Sequence, residues 1–410
     1  MPRHGGGGAL TGAAGMRAGR FGRRSLLAGA VLTGAGAVAA PVRIGVLTDE
    51  TGPYADSGGA GSVLAAGMAV ADFGASVLGR PVRVMHADHQ NKPDVAAAIA
   101  RRWYGPDGMD AIIDLPVSAI ALAVQQAARE SGRTVMITAA ATADFTGKYC
   151  SPTSTHWADD THALTAGTAR AVIADGGTSW FFITVDHAFG RALQAETTAV
   201  VEQHGGLVLG AVRHPIGETD FSALLLAAKH SGAKVIGFAS VGGDLVNALK
   251  QAHEFGLGGQ TIAAFLIYIT DIHALGLPVA QGLTFAGSFY WDQNEAARAF
   301  ARRFFAARGA MPTKNQALIY VGTRHFLTAM NAAGSADPLA VNRAMKALPV
   351  DYFARPASIR RDGRVLFDLT LWRVKAPAES SFPWDYYSAV RTIPSTEAFS
   401  PVNAAVCGAT

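Results

Sequence analysis

The chain has 410 residues, half of them hydrophobic and only 16% charged, with a formal charge of +4. That length admits two domains, because single cores stop growing near ~250–300 residues, and the composition excludes a disordered or coiled-coil chain. No basic run lies beyond the first 24 residues and no aromatic–basic interleaving occurs, which argues against a nucleic-acid surface.

The first 39 residues read as an address rather than as structure. GRFGRRSLL pairs Arg23 with Arg24, an Ala- and Gly-rich apolar stretch runs from Leu26 to Val38, and Ala37-Val38-Ala39 offers a small–x–small cleavage pattern before Pro41. This resembles a twin-arginine export signal, with a disordered basic tail as the alternative. The apolar part is too short and too glycine-rich to span a bilayer, so the expectation is a soluble periplasmic protein.

A strand–helix rhythm then begins. RIGVLT reads as a strand, TGPYADSGGAGS as a Gly-rich loop, and an Ala-rich helix runs to about Gly74. PVRVMHA is a second strand, followed by a helix over Asp94–Trp103 opened by Pro93. DAIIDLP is a third, ended by Pro116, with a helix over Ala119–Glu130. The fourth opens the stretch TVMITAAATADF, Thr134 to Phe145, where Val135, Met136 and Ile137 are apolar on both faces as in a buried parallel strand. Thr138, three alanines and Thr142 follow. Their small side chains leave peptide N–H groups accessible at the carboxyl edge of the sheet, where ligands of open α/β sheets bind. The alternative is an ordinary loop with alanines for close packing. Units of about thirty residues indicate a parallel sheet with helical crossovers.

After a helix near residues 156–178 the rhythm restarts: SWFFITVD, a helix over Gly190–His204, LVLGAVRH, a helix over Phe221–Lys229, KVIGFAS, a helix over Asp244–Phe255, and TIAAFLIYI. The restart predicts two similar doubly wound α/β lobes. The last third lacks the repeat. GLTFAGSFYW is strand-like, helices are expected over Glu295–Arg308, Asn315–Ala332 and Pro338–Ala347, and ASIRRDG and RVLFDLTLWRVK form a two-strand pattern turning at Asp362-Gly363. These pieces complete the two lobes: residues 41–159 plus about 291–355 in lobe 1, and 160–290 plus about 356–375 in lobe 2. Residues 376–410 are expected as an irregular wrap.

Enzyme signatures are missing: neither a GxxxxGK[ST] phosphate loop nor a GxSxG elbow occurs, and Gly58, Gly59 and Gly61 have the wrong spacing for a dinucleotide fingerprint. His86, Asp88 and His89 lack a fourth ligand and read as a solvated edge; no metal or cofactor is expected. Cys150 and Cys407, the two cysteines, are expected to form one disulfide in an oxidising compartment, with a free buried pair as the alternative. Candidate ligand contacts lie at strand ends. Tyr54 and Ser57 follow the first strand, Ser118 and Ala119 the third, and Ala140 and Thr142 the fourth. A helix N-terminus at Ser118-Ala119 would seat a carboxylate through unpaired N–H groups and the dipole. Phe189, Ser240 with Gly242-Gly243, and Tyr268 occupy the equivalent edge of the second lobe, and Tyr290 and Trp291 follow a later crossover. The aromatic set is either core or one wall of a cleft.

With RIGVLTDETGPYADSG, Asn91-Lys92-Pro93, TAAAT with Asp144-Phe145-Thr146, FITVDHAFG, TDFSALLLAAK and VIGFASVGGDLVNALKQA, residues 42–375 resemble type I periplasmic solute-binding proteins of ABC importers, the leucine/isoleucine/valine-binding family. The resemblance implies two α/β lobes joined by a three-crossing hinge that close on a ligand. It also implies no enzymatic activity, a monomer, and ABC permease subunits as partners. By the same resemblance a carboxylate is held at Ser118, Ala119, Ala140 and Thr142, Asp160 begins the second lobe's contribution, and Phe189 is the closing aromatic. Where amino-acid binders carry an acidic residue against the ligand's ammonium, this chain aligns Ala264 or Phe265. A buried ammonium without a carboxylate partner is costly, so a small carboxylate without a free amino group is expected, aromatic or branched oxo-acid-like. Branched-chain amino acids and a sensory ligand-binding role are the alternatives.

Overall fold

The computed structural model describes residues 40–402 apart from residue 258. The export-signal reading and Cys407, and with it the expected Cys150–Cys407 pairing, lie outside the described residues.

Lobe 1 is built on a six-stranded sheet. Its strands are β1 (Val42–Thr48), β2 (Ser76–Val77), β3 (Arg80–Asp88), β4 (Ala111–Asp114), β5 (Thr134–Ile137) and β6 (Ser154–His156), in the order β2-β3-β1-β4-β5-β6. β4 and β5 are buried at every position, as central parallel strands require. Crossovers run through α1 (Gly59–Phe73), α2 (Pro93–Tyr104) and α3 (Ser118–Ser131). β1 is paired in parallel on one side with β3 and on the other with β4. The chain therefore leaves β1 in one direction and β4 in the other, and the crevice between their carboxyl ends is the switch point where ligands of such sheets bind.

Lobe 2 repeats the logic. A helical segment of α4 (Thr161–Leu164), a π turn (Thr165–Ala169) and α5 (Arg170–Ala174) leads into β7 (Ser179–Val185). There follow α6 (Ala188–Gln203), β8 (Leu207–His214), α7 (Ser222–His230), β9 (Val235–Ala239), α8 (Gly242–Glu254), β10 (Thr261–Ala264), α9 (Ile269–Leu275), α10 (Leu277–Ala280) and β11 (Thr284–Gly287). The sheet order β10-β9-β7-β8 puts a second switch point between β7 and β9. The expected strand TIAAFLIYI stops at Ala264; Phe265–Tyr268 form the loop into α9, because Asp271 accepts the Tyr268 amide at 2.9 Å and starts the helix there.

The chain returns to lobe 1 as α11 (Glu295–Arg308), α12 (Lys314–Ala333) and α13 (Pro338–Ala347). α12 is buried along most of its length and packs on α1. A small antiparallel sheet of β12 (Val350–Tyr352), β13 (Arg355–Ile359) and β14 (Val365–Leu366) follows, packed on α12 and α13. RVLFDLTLWRVK does not form one strand: it is divided at Phe367-Asp368 between β14 and β15 (Leu369–Val374). The tail expected to be irregular carries β16 (Tyr387–Ile393), antiparallel to β15, which also pairs with β11, and α14 (Ser395–Ala398). β16 is exposed in its middle and buried only at Tyr387 and Ile393, so its own pattern carries little strand signal; the hydrogen bonds of β15 supply it. Residues 157–160, 288–294 and 367–368 connect β6 to α4, β11 to α11 and β14 to β15.

The first connection is fastened to the start of β14 by buried Arg364. Its guanidinium donates to the Ala158 carbonyl (2.6 Å), the Val365 carbonyl (2.9 Å) and His156 Nδ1 (2.9 Å), and lies 3.4 Å from Asp160 Oδ2. Burial pulls the Arg364 pKa down to about 10, and Asp160 beside it limits the fall.

Candidate functional site

The two switch points face one another across a small, partly enclosed cavity. Lobe 1 contributes Tyr54, Ser57, Pro116, Val117, Ser118, Ala139 and Ala141; lobe 2 contributes His187, Phe189, Val241, Leu266 and Tyr268. The lobes touch around it. Gly243 donates its amide to the Pro53 carbonyl at 3.2 Å, and Asn315 of α12 donates to the Tyr268 hydroxyl at 2.9 Å.

Local chemistry holds each wall. Asp49 accepts the amides of Gly52 (2.7 Å) and Tyr54 (2.9 Å) and the Asn91 side chain (2.8 Å), folding the loop after β1. Thr313 caps α12 and donates its hydroxyl to the Ser57 carbonyl at 2.8 Å, which fixes the same loop from behind. Asp114 and Leu115 take left-handed φ values of 91° and 68° at the end of β4 and turn the chain into Pro116-Val117-Ser118. Non-glycine residues rarely adopt this conformation, and such strain gathers at functional sites. Ser118 is the first residue of α3, and its Oγ accepts the Thr142 amide at 3.3 Å.

The loop after β5 presents Ala139 and Ala141 to the cavity, not Ala140 and Thr142. The cause lies in the hinge. Arg364 can only donate, so His156 Nδ1 is the acceptor and Nε2–H donates to the Ala140 carbonyl at 2.8 Å. Burial, then the neighbouring guanidinium, hold His156 well below its usual pKa and keep it neutral. Thr142 instead accepts the Asp144 amide. Asp160 also lies outside the cavity lining, because it caps α4 by accepting the Ala163 amide at 2.8 Å and faces Arg364. Ala119 lies one residue into α3 and does not line the cavity. Trp291 donates to the Trp384 carbonyl at 2.9 Å and lines a separate aromatic cavity behind Tyr268, with Tyr290 and Tyr387. Tyr54, Ser57, Ser118, Phe189 and Tyr268 are brought together.

Sequence reasoning passed over Val117, Ala139, Ala141, His187, Val241 and Leu266. His187 did leave a signal, since it stands where a helix cap belongs, two residues before Phe189. Its Nδ1 accepts the Phe189 amide at 3.3 Å and caps α6. Burial, with His214 nearby, pulls His187 down to about 4, so it is neutral at pH 7. Burial pushes the Tyr54 and Tyr268 phenols far up, and both keep their protons. Among the described residues, no Asp, Glu, Lys or Arg lines the cavity. Among the described residues no group of three or more His, Cys, Asp or Glu could hold a metal ion.

Residues 41–380 match the family described as periplasmic binding protein. The chain belongs to that family, as a solute-binding protein of ABC transporters. Such proteins are exported to the periplasm and carry small molecules to permeases; they are not enzymes. A periplasmic binding protein from Burkholderia mallei is 44% identical, with a TM-score of 0.88 over 90% of this chain and 98% of that one. A branched chain amino acid ABC transporter periplasmic ligand-binding protein from Burkholderia xenovorans is 40% identical, with a TM-score of 0.78 over 88% and 97%. The Leu/Ile/Val-binding protein homolog 2 of Brucella abortus is 24% identical over 68% of this chain and 75% of its own length. The fold of this binding protein is also shared by an R. palustris solute-binding protein in complex with benzoate, 18% identical with a TM-score of 0.78 over 86% and 96%.

Proposed function

We propose that this protein captures a small carboxylate lacking a free amino group, aromatic or branched oxo-acid-like, and delivers it to its permease after export by the twin-arginine route. The observation that carries the reading is the lining itself: among the described residues it holds twelve, without one acidic side chain. An ammonium enclosed there would lose its hydration and gain no carboxylate partner. A carboxylate meets a better wall. The N-terminus of the fourteen-residue helix α3 opens at Ser118, with free amides and the positive end of its dipole. The amides of Ala139 and Ala141 donate to no other group among the described residues. Three aromatic rings, of Tyr54, Phe189 and Tyr268, suit a flat or branched apolar body. The benzoate-bound relative supports only the statement that the fold accommodates such a ligand.

Titration calorimetry with benzoate, 4-methyl-2-oxopentanoate, leucine and valine tests the reading. An amine-free carboxylate is expected to bind more tightly than either amino acid. Tighter binding of leucine or valine would establish the second reading, branched-chain amino acid capture, which the name of the 40% identical Burkholderia xenovorans relative favours.

A further inference from the structure

We infer that the ligand carries at least one oxygen beyond its carboxylate, a hydroxyl or carbonyl, and that His187 and Tyr54 recognise it. The inference rests on the carboxylate reading above and narrows it. The Tyr54 hydroxyl and His187 Nε2 are both buried and make no hydrogen bond among the described residues, and both residues line the cavity. Tyr54 is only 3% exposed. Buried polar atoms without partners are uncommon in folded proteins and call for an explanation.

The rest of the lining makes the pair stand out. The Ser57 hydroxyl donates to the Tyr54 carbonyl, Ser118 Oγ accepts the Thr142 amide, and the Tyr268 hydroxyl accepts from Asn315. The direction of the His187 bond follows from its place in the fold. Nδ1 accepts the Phe189 amide, so the proton of the neutral ring sits on Nε2, which can only donate. The ligand must therefore bring an acceptor. Tyr54 can donate or accept. A phenolic or alcoholic hydroxyl can accept from His187 and donate to Tyr54, and a carbonyl oxygen can accept from either. An alkyl side chain or an unsubstituted ring leaves both protein groups unpaired, and sites built to bond a ligand hydroxyl discriminate strongly against analogues lacking it. The class implied is a hydroxylated or oxo-substituted carboxylate.

The test is calorimetry of the whole protein with benzoate, 3-hydroxybenzoate and 4-hydroxybenzoate. At least one hydroxybenzoate is expected to bind tenfold or more tightly than benzoate. In His187→Asn, which keeps a good helix cap but loses Nε2–H, and in Tyr54→Phe, that preference is expected to collapse toward one. Thermal unfolding of each variant verifies folding. Equal binding of all three probes by the unaltered protein, or variants that weaken all three by one factor, would overturn the inference and leave the carboxylate reading standing. If neither these three nor 4-methyl-2-oxopentanoate binds, both fall together.

Discussion

In the hinge, Arg364 and His156 are fully buried and Asp160 nearly so, and their polar atoms are paired. All three guanidinium nitrogens donate, both imidazole nitrogens are bonded, and Asp160 caps a helix. In the cavity, Tyr54 and His187 are also buried, yet a hydroxyl and a ring N–H are left without partners among the described residues. One region spends its polar groups on fixing the chain, and the other holds them ready for something that is not part of it. Burial of a polar side chain therefore does not by itself mark a ligand site; an unpaired one beside a cavity calls for a partner. Asp160 shows the difference, being acidic, buried and near the cleft in sequence but consumed by Arg364.

The largest expected effect breaks the hinge. Arg364→Met leaves the Asp160 carboxyl buried without its cation and His156 Nδ1 without its donor, and should cost about 3–5 kcal/mol. A urea midpoint that implies a loss below about 1 kcal/mol would show that the hinge is no better paired than the cavity. Ligand affinity should fall as well, because Ala140 loses the bond that turns Ala139 and Ala141 inward.

A pH titration sharpens the comparison at the end of β4. Burial pushes the Asp114 carboxyl up to about 7, against the pull of the Thr48 and Ser62 hydroxyls, and burial likewise pushes Glu196 and Asp271 up to about 7. A folded pKa above the unfolded one means that the folded state holds the proton longer. The contribution to stability is complete below about 4 and is lost as the pH rises through about 7. Asp114→Asn should flatten this decline by an amount on the order of 3 kcal/mol, read from urea unfolding between pH 4 and 8. An unchanged slope would mean that Asp114 is ionised throughout.

How much of this was readable from residues alone divides along the same line. The strand–helix rhythm named both sheets, because buried parallel strands and amphipathic helices advertise themselves locally; the expected helix over Glu295–Arg308 is the observed one. Tyr54, Ser57, Ser118, Phe189 and Tyr268 were legible because they sit at or just beyond the carboxyl ends of strands. What was not legible depends on distant partners. Which alanine of the 139–141 run faces the cavity is decided by His156, and His156 is oriented by Arg364, 208 residues away. β16 needed β15, and Asp160 needed Arg364.

Glycine tests the closed cleft itself. Gly242 has φ +64°, and a Cβ there would lie 2.7 Å from the Pro53 carbonyl oxygen and 3.0 Å from Tyr54 Cδ1. Pro53 and Tyr54 belong to lobe 1, so that clash exists only when the lobes meet, whereas the backbone strain of about 1–2 kcal/mol is present regardless. Gly242→Ala should weaken benzoate binding at least tenfold, about 1.4 kcal/mol, beyond the loss of stability measured separately by urea. Equal benzoate affinity in the two proteins would mean that ligand capture does not require this contact.

The smallest effect is the most discriminating. Tyr54→Phe removes a hydroxyl that has no partner among the described residues. Deleting one member of a bonded pair strands the other, but deleting an unpaired group strands nothing and relieves its own desolvation. The unliganded protein should therefore change by no more than about 0.5 kcal/mol, in either direction, in contrast to the several expected for Arg364→Met. A loss above about 1 kcal/mol in urea would mean that the hydroxyl already has a bond in the free protein. The cavity would then be ordinary core, and the contrast between the two regions would disappear.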